Sequence, residues 1–243
     1  DHGFLGCFAV GEAALPMMRA WPDGSFAELI HAPATCFTPL PEHLAVAPEL
    51  LCRLGWLGTA CHGLERGGFT AGMRIAINGA TGIVGASAVV LALALGAAEI
   101  VIFGRREDRL SELAALDPAR VRVGHVEEGL RYDLVLDCAA GPDSGTSAAL
   151  IARLRRFGRA VFVGGLSEPI SLDSAALMRN SNTVAGSYWF TRTNLHQLIR
   201  MAESGVLDFG AFRETSFRID DIHTAIRYAT SQAGGLEHTA LVP

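Results

Sequence analysis

Three regularly spaced glycines form the part of this sequence best suited to bind a ligand. Gly79, Gly82 and Gly85 lie in the string Asn78-Gly79-Ala80-Thr81-Gly82-Ile83-Val84-Gly85, between a β-like apolar run and a long apolar helical run. Such a turn lets free backbone N–H groups approach a pyrophosphate closely. Glycines that merely pack a helix on a sheet would look the same, but the strand before and the helix after favour a dinucleotide site formed by residues 79–85.

The residues after the next predicted strand indicate which dinucleotide. Ile100-Val101-Ile102-Phe103 is followed by Gly104, Arg105 and Arg106, and no acid occurs before Glu107. A site for NAD(H) places a carboxylate here to bind the ribose 2′-hydroxyl. A small residue and two guanidinium groups instead offer space and charge to a 2′-phosphate. Two solvated arginines at a helix start are the simpler alternative, but the pattern predicts NADP(H).

Alternating strands and helices surround the glycine turn. Continuous apolar runs predict strands at residues 73–78, 99–103, 120–123, 133–138 and 159–164. Helices are expected between them: one that runs to Leu95 and is ended by Gly96, and two more at about 106–116 and 147–156. This order predicts an α/β class with a doubly wound Rossmann parallel sheet, covered by helices on both faces.

The two ends of the chain are predicted to have different structures from the central part and from each other. Residues 1–48 contain short apolar segments broken by glycine and proline, which indicates irregular or short-stranded structure. The last fifty residues contain two amphipathic helices, with the apolar stripes Leu195, Leu198, Ile199, Ala202 and Ile222, Ala225, Ile226, Ala229. Thr193 and either Asp220 or Asp221 are the expected N-caps of these helices, and residues 239–242 the expected closing strand.

The composition excludes several classes of function. A net charge of −5 does not attract nucleic acid, and no apolar run is long enough to span a membrane. All 20 basic residues are arginine, which rules out a P-loop lysine, a pyridoxal Schiff base and a Tyr-x-x-x-Lys pair. The five cysteines, Cys7, Cys36, Cys52, Cys61 and Cys138, are odd in number and form no C-x-x-C pair, so we expect reduced thiols and a cytoplasmic location.

Several strings together resemble the medium-chain dehydrogenase/reductase family. They are the residues 72–97 around the glycine turn, 24–28, 39–42, 59–64, 137–141, 158–164, 186–187 and 241–243. The resemblance implies a GroES-like, β-rich catalytic domain beside the Rossmann domain, with residues 1–48 as the remaining part of that catalytic domain, 49–191 as the NADP-binding domain and 192–243 as the return. It implies that the chain starts inside the catalytic domain, and it also implies a homodimer that pairs through the strand near residues 182–187.

The resemblance bears on metal binding too. Zinc-dependent members carry a cysteine or an acid at the position of Gly55, and glycine cannot bind zinc. The structural zinc lobe of such members would need four cysteines, but residues 6–28 contain only Cys7. Cys61 and His62 offer ligand atoms, but as neighbours on a helix they face different sides. The sequence therefore predicts no metal site.

The resemblance finally implies a function. The nicotinamide is expected near Thr59, Ala139, Ala140 and the turn Val163-Gly164-Gly165, with Trp56, His62, Tyr188 and Trp189 as candidates to line a substrate pocket. No catalytic residue is identified. The prediction is a zinc-independent, NADPH-dependent oxidoreductase that transfers hydride to a small molecule, either a quinone, an enone or an aldehyde. A zinc-dependent alcohol dehydrogenase and a dinucleotide-binding protein without turnover are the alternatives.

Overall fold

A computed structural model describes residues 2–4, 8–126 and 129–243 of the chain. The strands in these ranges are β1 (His2–Phe4), β2 (Phe8–Val10), β3 (Arg74–Asn78), β4 (Glu99–Phe103), β5 (Val121–Val123), β6 (Tyr132–Asp137), β7 (Leu154–Phe162), β8 (Thr183–Gly186), β9 (Arg213–Arg218) and β10 (Glu237–Val242). The α-helices are α1 (Leu15–Ala20), α2 (Pro48–Leu51), α3 (Leu54–Arg66), α4 (Ile83–Ala94), α5 (Glu107–Ala115), α6 (Gly145–Ile151), α7 (Ser174–Asn180), α8 (Arg192–Glu203) and α9 (Ile222–Ser231).

The central feature is a parallel sheet of six strands in the order β5-β4-β3-β6-β7-β8. The chain winds outward from β3 in one direction and then, after β5, returns to β6 on the other side of β3. This change of direction opens a crevice at the carboxyl ends of β3 and β6, where ligands bind in open α/β sheets. The predicted doubly wound sheet is therefore present.

Helix α4 lies in the interior of this part of the protein. Residues Gly85 to Ala92 are all buried, which explains why the helix has no polar face. Gly96 adopts a φ of 86° just after the helix, and such a left-handed residue ends a helix without side-chain strain. The predicted stop at Gly96 is confirmed.

The predicted helix at 147–156 is wrong at its C-terminal end. Helix α6 stops at Ile151, and Leu154 already begins strand β7 as a buried residue. The register between β6 and β7 is irregular, since Tyr132 pairs with Leu154 but Leu134 pairs with Arg159. The additional residues of β7 form an exposed bulge of arginines, whose polar pattern resembled the outer face of a helix.

Two expectations for the last fifty residues also need correction. Thr191, not Thr193, caps helix α8, and its hydroxyl accepts the backbone N–H of Asn194 while the Asn194 side chain accepts the Thr191 N–H. In helix α9 only Ala225 is buried, and Ile226 is 50% exposed. Asp221 lies at the N-cap position of α9 but its side chain makes no capping hydrogen bond.

Contacts between Cα atoms divide the chain into two compact units. One comprises residues 1–45, 215–232 and 239–243, and it contains the paired strands β1 and β2 together with α1 and α9. The other comprises residues 46–214 and 233–238, and it contains the parallel sheet. The domain boundaries predicted at residues 48 and 191 separate the catalytic from the cofactor-binding parts of the chain, and they stay a prediction. Of the helices in the described ranges, none combines the length and the apolar character needed to cross a bilayer.

Two glycines of α3 should respond oppositely to substitution. A Cβ at Gly55 would meet no atom within 4 Å, whereas a Cβ at Gly58 would lie 2.6 Å from the Phe190 ring. We expect Gly55→Ala to raise the free energy of unfolding by about 0.5 kcal/mol through helix propensity. We expect Gly58→Ala to lower it by about 1–2 kcal/mol, because the ring must move. Urea unfolding of both variants checks this, and equal effects would contradict it.

Candidate cofactor site

The turn after β3 exposes backbone N–H groups at the start of α4. The first hydrogen bond of the helix runs from the N–H of Ala86 to the carbonyl of Gly82 (2.9 Å), so the N–H groups of Ile83, Val84 and Gly85 precede it. Gly82 is the N-cap residue, and no side chain caps the helix. An anion at this end would meet both the free donors and the positive end of the helix dipole.

Close backbone contacts require the first and third glycines of the turn. Gly79 has a φ of 71°, and a Cβ there would lie 2.7 Å from the backbone nitrogen of Ala139. A Cβ at Gly85 would collide with the Gly79 carbonyl and lie 2.7 Å from the Cα of Ala80. The absence of side chains therefore allows the turn, the helix and the neighbouring strand end to pack together.

A buried polar network that the sequence patterns did not predict supports this turn from below. The Asn78 amide donates to the carboxylate of Asp137 (3.3 and 3.4 Å) and to the hydroxyl of Ser147 (3.2 Å). The Asn78 side-chain oxygen accepts the N–H of Gly79 (3.0 Å), and Asp137 accepts that of Ala139 (3.0 Å). Polar residues at the carboxyl ends of two otherwise apolar strands were the signal for this network.

The turns after β6 and β7 meet beside the same crevice. The Asp137 carbonyl accepts the N–H groups of Val163 (2.8 Å) and Gly164 (2.9 Å). A Cβ at Gly164 would collide with the carbonyl oxygen of Ala139, while Gly165 has open space around it. The structure thus brings together Ala139, Val163 and Gly164, with Ala140 and Gly165 adjoining them in the chain.

The end of β4 contacts the glycine turn. Ala80 donates its N–H to the Phe103 carbonyl (2.9 Å), and a Cβ at Gly104 would lie 2.7 Å from the Thr81 side chain. Gly104 is therefore required for this close approach of the two segments.

The two arginines that follow are not equivalent. Arg106 forms an exposed ion pair with Asp108 (3.1 Å), which raises the pKa of Arg106 and lowers that of Asp108. Arg105 is exposed and forms no ion pair or hydrogen bond with another described residue. Of these two arginines, Arg106 is therefore paired, whereas Arg105 has no partner in the described part of the chain.

Helix α3 carries Thr59, Trp56 and His62, which have different surroundings. The Thr59 hydroxyl donates to the Gly55 carbonyl (3.0 Å) within the helix. The Trp56 ring packs against the ring of His238, with centroids 5.7 Å apart. His62 Nδ1 lies 2.9 Å from the carbonyl oxygen of Trp189 and 3.2 Å from the hydroxyl of Ser187.

The aromatic pair after β8 completes the set of predicted pocket residues. Tyr188 is 50% exposed, and its ring contacts that of Trp189 edge-on at 6.1 Å. Trp189 has a φ of 54°, a strained conformation for a bulky residue. His62 and Trp189 thus share a cluster, whereas Trp56 belongs with His238.

Cys61 and His62 do not converge on one point. The Cys61 sulfur is buried and lies 3.7 Å from Oε1 of Gln197 on α8, whereas His62 faces the segment after β8. Burial raises the pKa of Cys61 to about 11, so the thiol is protonated at neutral pH. Within the described ranges, no three His, Cys, Asp or Glu side chains are grouped to hold a metal ion. Cys7 lies outside the described residues, and the absence of zinc stays a prediction.

A parallel sheet of this strand order, with a glycine turn after its first strand, defines the doubly wound, dinucleotide-binding class of folds. Residues 84–204 match the model of the zinc-binding dehydrogenase family. The chain belongs to the medium-chain dehydrogenase/reductase family.

Solved dehydrogenase structures are similar to this chain. A putative zinc-binding dehydrogenase from Sinorhizobium meliloti, bound to NADP, shares 20% identity over 91% of this chain with a TM-score of 0.77. An alcohol dehydrogenase from Escherichia coli, complexed with NADH, shares 18% over 88% with a TM-score of 0.76. A cobalt- and zinc-bound alcohol dehydrogenase from Pyrobaculum aerophilum shares 26% over 78% with a TM-score of 0.62. The chain covers 66%, 64% and 55% of these proteins, respectively.

Proposed function

We propose that this chain is an NADPH-dependent oxidoreductase that transfers hydride to a small molecule without zinc. The observation that supports this most strongly is the combination of the free N–H groups of Ile83, Val84 and Gly85 at the start of α4 with an unpaired Arg105 at the end of the adjacent strand β4. A dinucleotide that spans the carboxyl edge of the sheet would place a phosphate group at each of these points. The proposal names quinones, enones and aldehydes as substrates.

The glycine turn fits the pyrophosphate of the cofactor. Gly79, Gly85 and Gly164 allow the turn, helix α4 and the neighbouring strand ends to pack closely together, because a Cβ at any of them would collide with backbone atoms. Ala80, Thr81, Gly82, Ile83 and Val84 complete the turn, and the start of α4 supplies N–H donors without competition from a side-chain cap.

The end of β4 fits a 2′-phosphate better than a free ribose hydroxyl. No carboxylate occupies the strand end, and Arg105 can donate to phosphate without first breaking an ion pair. Arg106 is held by Asp108, so we assign it a smaller share of the recognition. This difference refines the sequence-based expectation, in which both arginines contributed alike.

The rest of the proposed mechanism follows from the cofactor's chemistry. When bound, NADPH supplies a hydride from C4 of its nicotinamide to an electrophilic substrate carbon, and the substrate oxygen takes a proton from solvent or from a side chain. The chain's own contribution is to hold the dinucleotide with the residues named above. Thr59, Ala139, Ala140, Val163, Gly164 and Gly165 are proposed for the nicotinamide side, and Trp56, His62, Tyr188 and Trp189 for the substrate side. A homodimer in the cytoplasm is part of the same proposal.

A zinc-dependent alcohol dehydrogenase is the second candidate. The description of the matching family model and the metal-bound Pyrobaculum aerophilum structure favour it. Gly55 argues against it, because the position at which the resemblance predicts a zinc ligand carries no side chain. Metal analysis of the purified protein separates the two candidates, and stoichiometric zinc would reject the zinc-free proposal.

Titration with NADPH and NADH tests the cofactor assignment. We expect the wild type to bind NADPH more tightly than NADH, and Arg105→Ala to weaken NADPH binding about tenfold, because a charge-assisted hydrogen bond to phosphate contributes on the order of 1.5 kcal/mol. NADH binding should change less than twofold. Quenching of protein fluorescence provides the dissociation constants.

Arg106→Ala is the matched control, since it removes the same charge from the neighbouring position. A loss of NADPH affinity in Arg106→Ala equal to that in Arg105→Ala would contradict the assignment to Arg105. NADPH binding without turnover of quinones, enones, aldehydes or alcohols would instead favour a dinucleotide-binding protein without catalysis.

A further inference from the structure

Arg53 is an unusual residue, because its side chain is completely buried. It lies just before helix α3 and has an exposure of 0%. Its Nε donates to the hydroxyl of Ser87 (3.0 Å), and its Nη2 donates to the carbonyls of Ile83 (3.1 Å) and Gly235 (2.5 Å). Ile83 is the first residue of α4, so the guanidinium lies against the first turn of the helix that follows the glycines.

The positive charge of Arg53 has no negative counterpart in the described part of the chain. All three of its acceptors are neutral, Nη1 has no hydrogen-bond partner, and the Phe212 ring lies 4.4 Å from the guanidinium carbon. Burial lowers the pKa of Arg53 to about 9, which leaves it charged at neutral pH. Buried charges in proteins are normally paired, so an unpaired one indicates that an anion belongs nearby.

A second arginine holds the other side of the turn. Arg109 of helix α5 donates from Nη1 to the Thr81 carbonyl (3.2 Å) and from Nη2 to the Ala233 carbonyl (3.3 Å). The two guanidinium groups therefore connect residues 81 and 83 of the glycine turn to residues 233 and 235. Gly234 and Gly235 have φ values of 136° and 62°, and an added Cβ at Gly234 would collide with Arg109.

We propose that Arg53 and Arg109 are positioning residues for the cofactor pyrophosphate, and that residues 233–235 are a structural part of the cofactor site. The two side chains hold the glycine turn in its binding geometry, and the unpaired charge of Arg53 attracts the pyrophosphate through the first turn of α4. The charge of Arg53 adds an electrostatic attraction to the pyrophosphate that the backbone N–H groups alone do not provide. This inference rests on the proposed function.

Substitutions of Arg53 separate a role of the charge from a role in packing. We expect Arg53→Met and Arg53→Gln to weaken NADPH binding about tenfold, and Arg53→Lys to remain within about threefold of the wild type, because only lysine keeps the charge. Binding of adenosine 2′-monophosphate, which has no pyrophosphate, should change less than about twofold in all three variants. Isothermal calorimetry on the full chain measures both ligands, with unfolding curves to confirm that each variant is folded.

Arg131→Met is the matched control for this comparison. Arg131 also donates to a backbone carbonyl, that of Ala152 (3.1 Å). It lies just before β6, at the amino-terminal ends of the strands and therefore away from the glycine turn. Its loss should leave NADPH affinity unchanged. If Arg53→Met does not fold, the comparison of Arg53→Gln with Arg53→Lys carries the same test.

The measurements on the Arg53 variants distinguish a role of the charge from a role in packing. A folded Arg53→Met or Arg53→Gln variant with wild-type NADPH affinity would overturn the inference. A variant that loses affinity for NADPH and for adenosine 2′-monophosphate to the same extent would also overturn it. So would an Arg53→Lys variant that loses as much NADPH affinity as Arg53→Met. A wild type that binds neither NADPH nor NADH would contradict the proposed function itself, so the two failures are distinguishable.

Discussion

Replacement of Gly164 by alanine is expected to lower the free energy of unfolding by about 3 kcal/mol, at the upper end of the range for an overpacked interior. The added Cβ would collide with the carbonyl oxygen of Ala139 and lie 2.7 Å from the carbonyl carbon of Cys138. Both are backbone atoms in the turn just after β6, so neither can rotate away as a side chain could. Denaturant unfolding measures the change.

Gly165→Ala is the control for this prediction. It inserts the same methyl group one residue further along, where nothing lies within 4 Å of the new Cβ. Its stability should stay within about 0.5 kcal/mol of the wild type, as for ordinary surface substitutions. A Gly164→Ala variant as stable as Gly165→Ala would show that the turns after β6 and β7 are not as closely packed as described. Since Gly164 also adjoins the crevice, NADPH binding should weaken in the Gly164→Ala variant.

Substitution of Asp137 by leucine should have an effect of similar size. Asp137 is 1% exposed, and its carboxylate accepts hydrogen bonds from the Asn78 side chain and the Ala139 N–H. Leucine fills a similar space but accepts neither, and buried donors without partners cost about 1–3 kcal/mol each. We therefore expect a loss of about 3 kcal/mol in the free energy of unfolding, since the Asn78 amide keeps its bond to Ser147.

Two further variants test the cause of that loss. Asp137→Asn keeps one acceptor oxygen and should recover at least half of the lost stability. Asp108→Leu removes a carboxylate whose ion pair with Arg106 is exposed, and it should leave stability within experimental error of the wild type. A large effect of Asp108→Leu, or a small one of Asp137→Leu, would contradict the importance assigned to the buried network.

Local patterns in the sequence were sufficient to predict the main elements. Continuous apolar runs identified β3, β4 and β6 to within one residue at either end, and the glycine at 96 identified the end of α4. These signals work because burial on both faces of a parallel sheet demands apolar residues at every strand position. Where a strand contains a solvent-exposed bulge, as β7 does at its arginines, the same reasoning mistook it for helix.

The sequence by itself determined the class of this protein: a glycine turn between a strand and a helix, no acid at the end of the second strand, and a set of strings that resemble the medium-chain dehydrogenases/reductases. Only the tertiary structure decided which charged groups are paired. It showed that Arg106 is held by Asp108 while Arg105 is not, that Asn78 and Asp137 form one buried network, and that Arg53 is buried against the first turn of α4. Residues 53, 83 and 235 are far apart in the chain, and a hydrogen bond depends on distances of about 3 Å that sequence spacing does not encode.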